Sequence, residues 1–158
     1  TEIFDLIDFA HGRGMDLTLI ETMPLGDVGA DRTDQYLPLT ELRRLIERRL
    51  TLVDTSERSG GPARYTRVTE TGGRLGFITP MTHNFCDTCN RIRLAANGTL
   101  HLCLGRDEAV DYRQLMRSGH SDAEILAALQ AGLAHKPARH DFGNTQHRVI
   151  RMMSATGG

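Results

Sequence analysis

Apolar residues recur at helical spacing from the first turns of the chain. Ile3, Phe4, Leu6, Ile7, Phe9 and Ala10 form one stripe that ends at Gly12 or Gly14. Asp16 to Glu21 (DLTLIE) then reads as a strand, stopped by Met23 because Pro24 cannot donate to a ladder. A helix and a strand joined by a short glycine turn make half of a β/α repeat, entered in mid-fold. We therefore expect a fragment, or one part of a larger protein. Gly26 to Pro38 is polar and long enough for a binding loop, but no residue in it takes a role. Leu39 to Leu50 is an amphipathic helix with Leu42, Leu45 and Ile46 inward and Arg43, Arg44, Arg48 and Arg49 mostly outward. Ser56 to Pro62 (SERSGGP) is a flexible connector and the expected boundary between two regions.

Beyond the connector, Ala63 to Val68 and Arg74 to Ile78 read as paired strands around a Thr71-Gly72-Gly73 turn. A second hairpin is expected at Asn97-Gly98, a two-residue type I′ signal that would set Cys103 opposite Ile92 and Leu104 beside Arg91. The chain then turns helical. Asp111 to Met116 makes a short turn, and Ser121 with Glu124 makes a capping box ahead of a stripe of Ile125, Leu126, Leu129 and Leu133. From His135 to Gly158 the tail looks too polar to fold alone, and its histidines lack any ligand-like spacing.

Composition narrows the function classes. The 158 residues are 39% apolar and 25% charged, enough for one ordinary core. A net charge of −1 gives no global field to draw nucleic acid or an anionic membrane, so any phosphate binding must be local. No apolar run approaches the ~18 residues of a membrane span and no signal-peptide pattern is present, so a soluble, cytoplasmic protein is expected.

The chemistry concentrates between Phe77 and Leu104. Cys86 and Cys89 stand two residues apart, and the hairpin would return Cys103, the third cysteine of the chain, to that pair. Such a trio suits thiolate ligation of a soft metal or an iron–sulfur cluster. Zinc would have to recruit His83 or His101 as a fourth ligand, and three buried free thiols are the bland alternative. An odd count at this spacing disfavours a disulfide. Arg91 and Arg93, two apart on a strand, share a face and could grip phosphate oxygens. With 18 arginines against one lysine, a solvated strand face is the competing reading.

The segment FITPMTHNFCDTCNRIRLAANGTLHLCL closely resembles the C-terminal cluster motif of the molybdenum cofactor biosynthesis protein A family, the radical S-adenosylmethionine GTP 3′,8-cyclases. The resemblance extends over essentially the whole chain, through Glu21-Thr22-Met23-Pro24-Leu25-Gly26, Gly61-Pro62-Ala63 and Lys136-Pro137 to Gly157-Gly158. It implies an α/β fold: residues 1–55 as the last elements of an incomplete TIM-type barrel, and 63–158 as a hairpin and helix region carrying an auxiliary 4Fe–4S cluster and the GTP contacts. By the same resemblance Cys86, Cys89 and Cys103 hold that cluster, whose open iron meets the guanine base. Arg91, Ile92 and Arg93 contact GTP, Met23 contacts S-adenosylmethionine, and Gly157 and Gly158 reach into the active site. Thr156 stands where the family usually has isoleucine. The radical-generating Cys-x3-Cys-x2-Cys motif, with its second 4Fe–4S cluster, is absent from these residues. The chain alone is therefore expected to be inert, with an N-terminal radical half as its partner. A homodimer is left open.

Overall fold

The computed structural model describes residues 2–26, 35–143 and 149–156. It is a mixed α/β chain that divides into two compact units, Thr1–Met23 with Arg32–Phe85, and Pro24–Asp31 with Cys86–Gly158. Among the described residues no helix is long and apolar enough to cross a membrane.

The first unit runs α1 (Glu2–His11), β1 (Leu17–Ile20), α2 (Leu39–Ile46), β2 (Leu52–Asp54), β3 (Arg64–Val68) and β4 (Arg74–Ile78). Its four strands form one sheet in the order β1-β4-β3-β2. β1 pairs parallel with β4, Leu17 opposite Leu75, and the other two pairings are antiparallel. Ile3 and Ile7 of α1, Leu39 and Ile46 of α2, and Val68, Leu75 and Phe77 of the sheet make the core, with Leu17 and Leu19 packed against it. Each such aliphatic side chain contributes about 1.5–3 kcal/mol by leaving water. The helix and strand periods of the sequence are thus the two halves of one apolar interface.

The 56–62 connector does not separate compact units here. It links β2 to β3, which lie side by side, and Glu57 within it pairs with Arg67 and Arg74. The parallel partner of β1 is β4, so strands from both sides of the connector share one sheet. Hydrogen-bonded strand edges outweigh a Gly-Ser-rich composition, and the division falls at Cys86 instead.

Glu21, at the exit of β1, is only 1% exposed. Its carboxylate accepts hydrogen bonds from the backbone N–H of Met81 (2.8 Å), Thr82 (2.9 Å) and Leu39 (3.3 Å), and from the Thr82 hydroxyl. It therefore ties the start of α2 and the loop after β4 to the end of β1. Burial pushes its pKa up, but the hydrogen bonds from Thr82, Met81 and Leu39 outweigh that and hold it below the ordinary 4.5.

The second unit carries a single 3₁₀ turn at Cys86–Thr88, then β5 (Arg93–Leu94), β6 (Thr99–His101), β7 (Ala109–Asp111), α3 (Tyr112–Arg117), α4 (Asp122–Ala134) and a last 3₁₀ turn at Met153–Thr156. Its sheet runs β5-β6-β7. The β5–β6 hairpin departs from the expected type I′ turn. That turn needs positive φ at both central residues, and only Gly98 has it, at +85°. Asn97 instead spends its side chain accepting the Thr99 N–H at 3.0 Å. Gly98 N–H closes a turn on the Ala95 carbonyl, and Ala95 N–H reaches Thr99. The loop therefore holds three residues. Arg93 faces His101 and Leu94 faces Leu100, a register one residue short of the expected one. Carried on by the same count, Cys103 falls opposite Arg91 rather than Ile92.

The helices end this unit with smaller surprises. Asp111 caps α3, and the Ser121–Glu124 capping box of α4 forms in both directions. Leu126 and Leu133, expected inward, are 55% and 39% exposed. Ile125, Ala128 and Leu129 pack on Leu100, Leu102 and Tyr112 instead, and Gly132 lies against the Tyr112 hydroxyl. Small residues let the helix approach closely on the face that leucine count alone would not choose. The tail is not wholly solvated either: Val149 bridges Leu25, and Val149 and Thr156 are 2% and 1% exposed. Gly157 and Gly158, and most of the Gly26 to Pro38 loop, lie outside the described residues.

Two stability measurements follow from these contacts. Glu21→Gln replaces one acceptor oxygen with an NH2 group that faces N–H donors, and is expected to cost about 1.5–3 kcal/mol by urea unfolding at pH 7. Because the folded pKa of Glu21 is depressed, its contribution is full above its ordinary pKa and lost as pH falls through the folded value. The variant should therefore show a shallower loss of stability between neutral and acid pH than the parent. Gly98→Ala would place a Cβ 2.6 Å from Arg113 Cβ at a left-handed φ, and should lose at least about 1–2 kcal/mol in the same assay.

Candidate functional site

The site grows from the 3₁₀ turn and the hairpin it precedes. Cys89 N–H closes the turn on the Cys86 carbonyl at 3.0 Å, so a CxxC spacing becomes two side chains of one tight turn. Across the hairpin, Cys103 follows β6 by two residues. All three thiols are reduced and half-buried. The structure brings them into one neighbourhood. Burial raises the Cys103 pKa above its ordinary value, a hydrogen bond with the Gly105 backbone and the charge of Lys136 lower it, and Cys86 and Cys89 raise it.

Three groups hold that neighbourhood in place, and sequence reasoning assigned a role to none of them. Lys136 directs its ammonium to the Leu102 carbonyl at 2.8 Å, the Arg91 carbonyl at 3.0 Å and Cys89 Sγ at 3.9 Å. Arg151 gathers the turn after Cys103, donating to the carbonyls of Cys103 (3.3 Å), Leu104 (3.3 Å) and Arg106 (2.6 Å) and to Asp107. Gly105 lies so close to His140 and Phe142 that a Cβ there would sit 2.7 Å from each. The lone lysine among 18 arginines was a signal for the first. Nothing in the local pattern pointed to the other two.

The predicted substrate residues take distinct positions. Arg91 and Arg93 are half-buried, Arg93 within β5, and Ile92 between them is 37% exposed. Extended two residues past its last pair, Arg93 opposite His101, the register would put Cys103 in line with the arginines rather than with Ile92, unlike the register of a type I′ turn. His101, a candidate zinc ligand, stands opposite Arg93, with Nδ1 buried and without a hydrogen-bond partner among the described residues. Burial, then the Arg151 charge, lowers its pKa, with Asp107 acting the other way. His83 belongs to the other unit, as does Met23, half-buried two residues beyond Glu21. Among the described residues no three His, Cys, Asp or Glu side chains converge closely enough to hold one metal ion.

Residues 15–142 match the family model described as Molybdenum Cofactor Synthesis C. Over 161 aligned positions the chain is 59% identical to a GTP 3′,8-cyclase of Rhizobium etli and 58% identical to one of Agrobacterium fabrum. It is 57% identical over 159 positions to a GTP 3′,8-cyclase of Caulobacter vibrioides. In each case the alignment covers 99% of this chain and 46% of the relative, so the chain spans about half the length of the curated relatives it matches. A matched segment that contains the hairpin, all three cysteines and Lys136 places the chain in the Molybdenum Cofactor Synthesis C family.

Proposed function

We propose that this chain is the substrate-side, C-terminal part of a GTP 3′,8-cyclase, acting in molybdenum cofactor biosynthesis. The observation that carries the reading is the gathering of Cys86, Cys89 and Cys103 at the open end of a hairpin, with Arg93 on its first strand and Arg91 just before it. In this reading the first unit, with its β1-β4-β3-β2 sheet, contributes the end of a β/α barrel and the second unit the auxiliary-cluster region. The parallel β1–β4 pair, with Ile20 52% exposed at its end, suits a sheet that continues into further strands.

The donor chemistry fits a polynuclear cluster. One zinc ion would require sulfurs roughly 3.8 Å apart, from Zn–S bonds of about 2.3 Å. A 4Fe–4S cluster takes each cysteine on a different iron and accepts wider spacing. The Gly105 backbone and the Lys136 ammonium at the sulfurs suit thiolates under partial burial. When bound, the cluster would supply an iron without a protein ligand, open to the guanine base. The chain's own residues do the rest. Arg91 and Arg93 hold the triphosphate by charge-assisted hydrogen bonds, Ile92 offers an apolar contact beside them, and the hairpin fixes the distance between the two ends of the nucleotide. Met23 contacts S-adenosylmethionine. The radical is generated by cysteines outside these residues, so the chain alone is inactive.

Anaerobic reconstitution of the chain with iron and sulfide tests the first half of this reading. A brown protein with iron and acid-labile sulfide in near-equal amounts is expected, and Cys103→Ser should lose most of both. Tight zinc uptake with no sulfide would point to a zinc module instead. In the full-length protein Cys103→Ser should abolish GTP cyclisation yet leave S-adenosylmethionine cleavage intact. For the second half, Arg91→Ala should weaken GTP about tenfold or more, the loss of one charged hydrogen bond, while guanosine affinity changes little. Equal loss for both ligands would remove Arg91 from the phosphate.

A further inference from the structure

We propose that Lys136 is a positioning residue for the cysteine cluster, its ammonium locking the hairpin strands together and placing one positive charge on the Cys89 side of the bound iron–sulfur group. The inference rests on the cluster reading above and deepens it. An ammonium carries three donors in a tetrahedral array and no acceptor. Here it faces three acceptors: the Leu102 carbonyl, the Arg91 carbonyl and Cys89 Sγ. Leu102 precedes Cys103 and Arg91 follows Cys89 by two residues, so one group fixes the backbone beside two of the three sulfurs.

The route by which Lys136 arrives is equally defined. It stands just past the C-terminus of α4, where Lys136 N–H closes on the Leu133 carbonyl at 3.0 Å. Helix C-termini favour a cation. Pro137 then stops the helix from continuing. α4 itself is fixed by its capping box at one end and by Ile125, Ala128 and Leu129 against the Leu102 cluster along its side. The helix thus aims the side chain at the strand whose register it packs against.

Residue choice adds an independent argument. This chain uses arginine 18 times and lysine once, and that lysine directs its ammonium at a cysteine sulfur, Cys89 Sγ. A planar guanidinium cannot offer three tetrahedral donors to acceptors on two strands and a sulfur. Electrostatics then gives direction. Reduction adds negative charge to the cluster, and a cation at one of its sulfurs stabilises the reduced form, which raises the potential.

The test compares the wild-type chain with Lys136→Gln and Lys136→Arg after anaerobic reconstitution, with far-UV circular dichroism to confirm folding. Iron, sulfide and the midpoint potential from a spectroscopic redox titration are measured. Glutamine can still donate to one carbonyl without charge, so K136Q is expected to retain iron. Its reduced-to-oxidised ratio at the wild-type midpoint should fall severalfold, with K136R lying between the two. A shift of 59 mV would correspond to tenfold for one electron. An unchanged potential in an iron-replete K136Q overturns the role of Lys136 and leaves the cluster reading intact. If K136Q holds no iron although its circular dichroism matches the wild type, the positioning role is supported, and partial restoration by K136R assigns part of it to the charge. A wild-type chain that takes up no iron and sulfide overturns both readings.

Discussion

One turn sets the geometry on which the second unit depends. Gly98 takes a left-handed conformation, and Asn97 does not, because its side-chain oxygen is occupied by the Thr99 amide. The loop therefore closes over three residues instead of two, and every pairing beyond it shifts by one. Strand side chains alternate between faces, so a single-residue shift decides which residues share a side. With this register Cys103 falls in line with Arg91, and the cysteines and arginines can serve one site.

The turn does not work alone. Gly98 also offers its carbonyl to Tyr112 N–H, so the hairpin end is fastened to the start of α3. At the open end Lys136 reaches both strands, and Arg151 closes the 103–107 turn on itself. Gly105 permits the close approach of His140 and Phe142 that backs this turn. The half-buried thiols therefore sit on backbone held from both ends, the arrangement expected where sulfur positions must be fixed before a ligand arrives. In the first unit Glu21 has a comparable role, collecting amides from two loops at the exit of β1.

Much of this was written in local pattern. The helix at α1, the alternation of β1, the Thr71-Gly72-Gly73 turn and the Ser121–Glu124 box each stand where their sequence puts them, although Leu6 and Phe9 of the expected α1 stripe are exposed. These depend on contacts within a few residues, or on one face meeting any apolar partner. Features that rest on distant contacts differ from their local pattern. The 56–62 connector has linker composition but lies between paired strands, and the α4 stripe uses Ala128 and Gly132 in place of Leu126 and Leu133. Composition measures local cost; pairing and close packing are supplied by residues far along the chain.

By itself the sequence determined the inventory: three cysteines with a CxxC pair, an Arg-x-Arg segment beside them, a hairpin, and the secondary structure of an α/β chain. Tertiary structure decided which of these meet. Register depends on how one turn closes, and the side chains that secure the site, Lys136 and Arg151, come from 33 and 48 residues beyond Cys103 by the numbering of the chain. A strand's facing and a long-range hydrogen bond are properties of the closed chain, because both depend on the free energy of the assembled contacts and on no short window of residues.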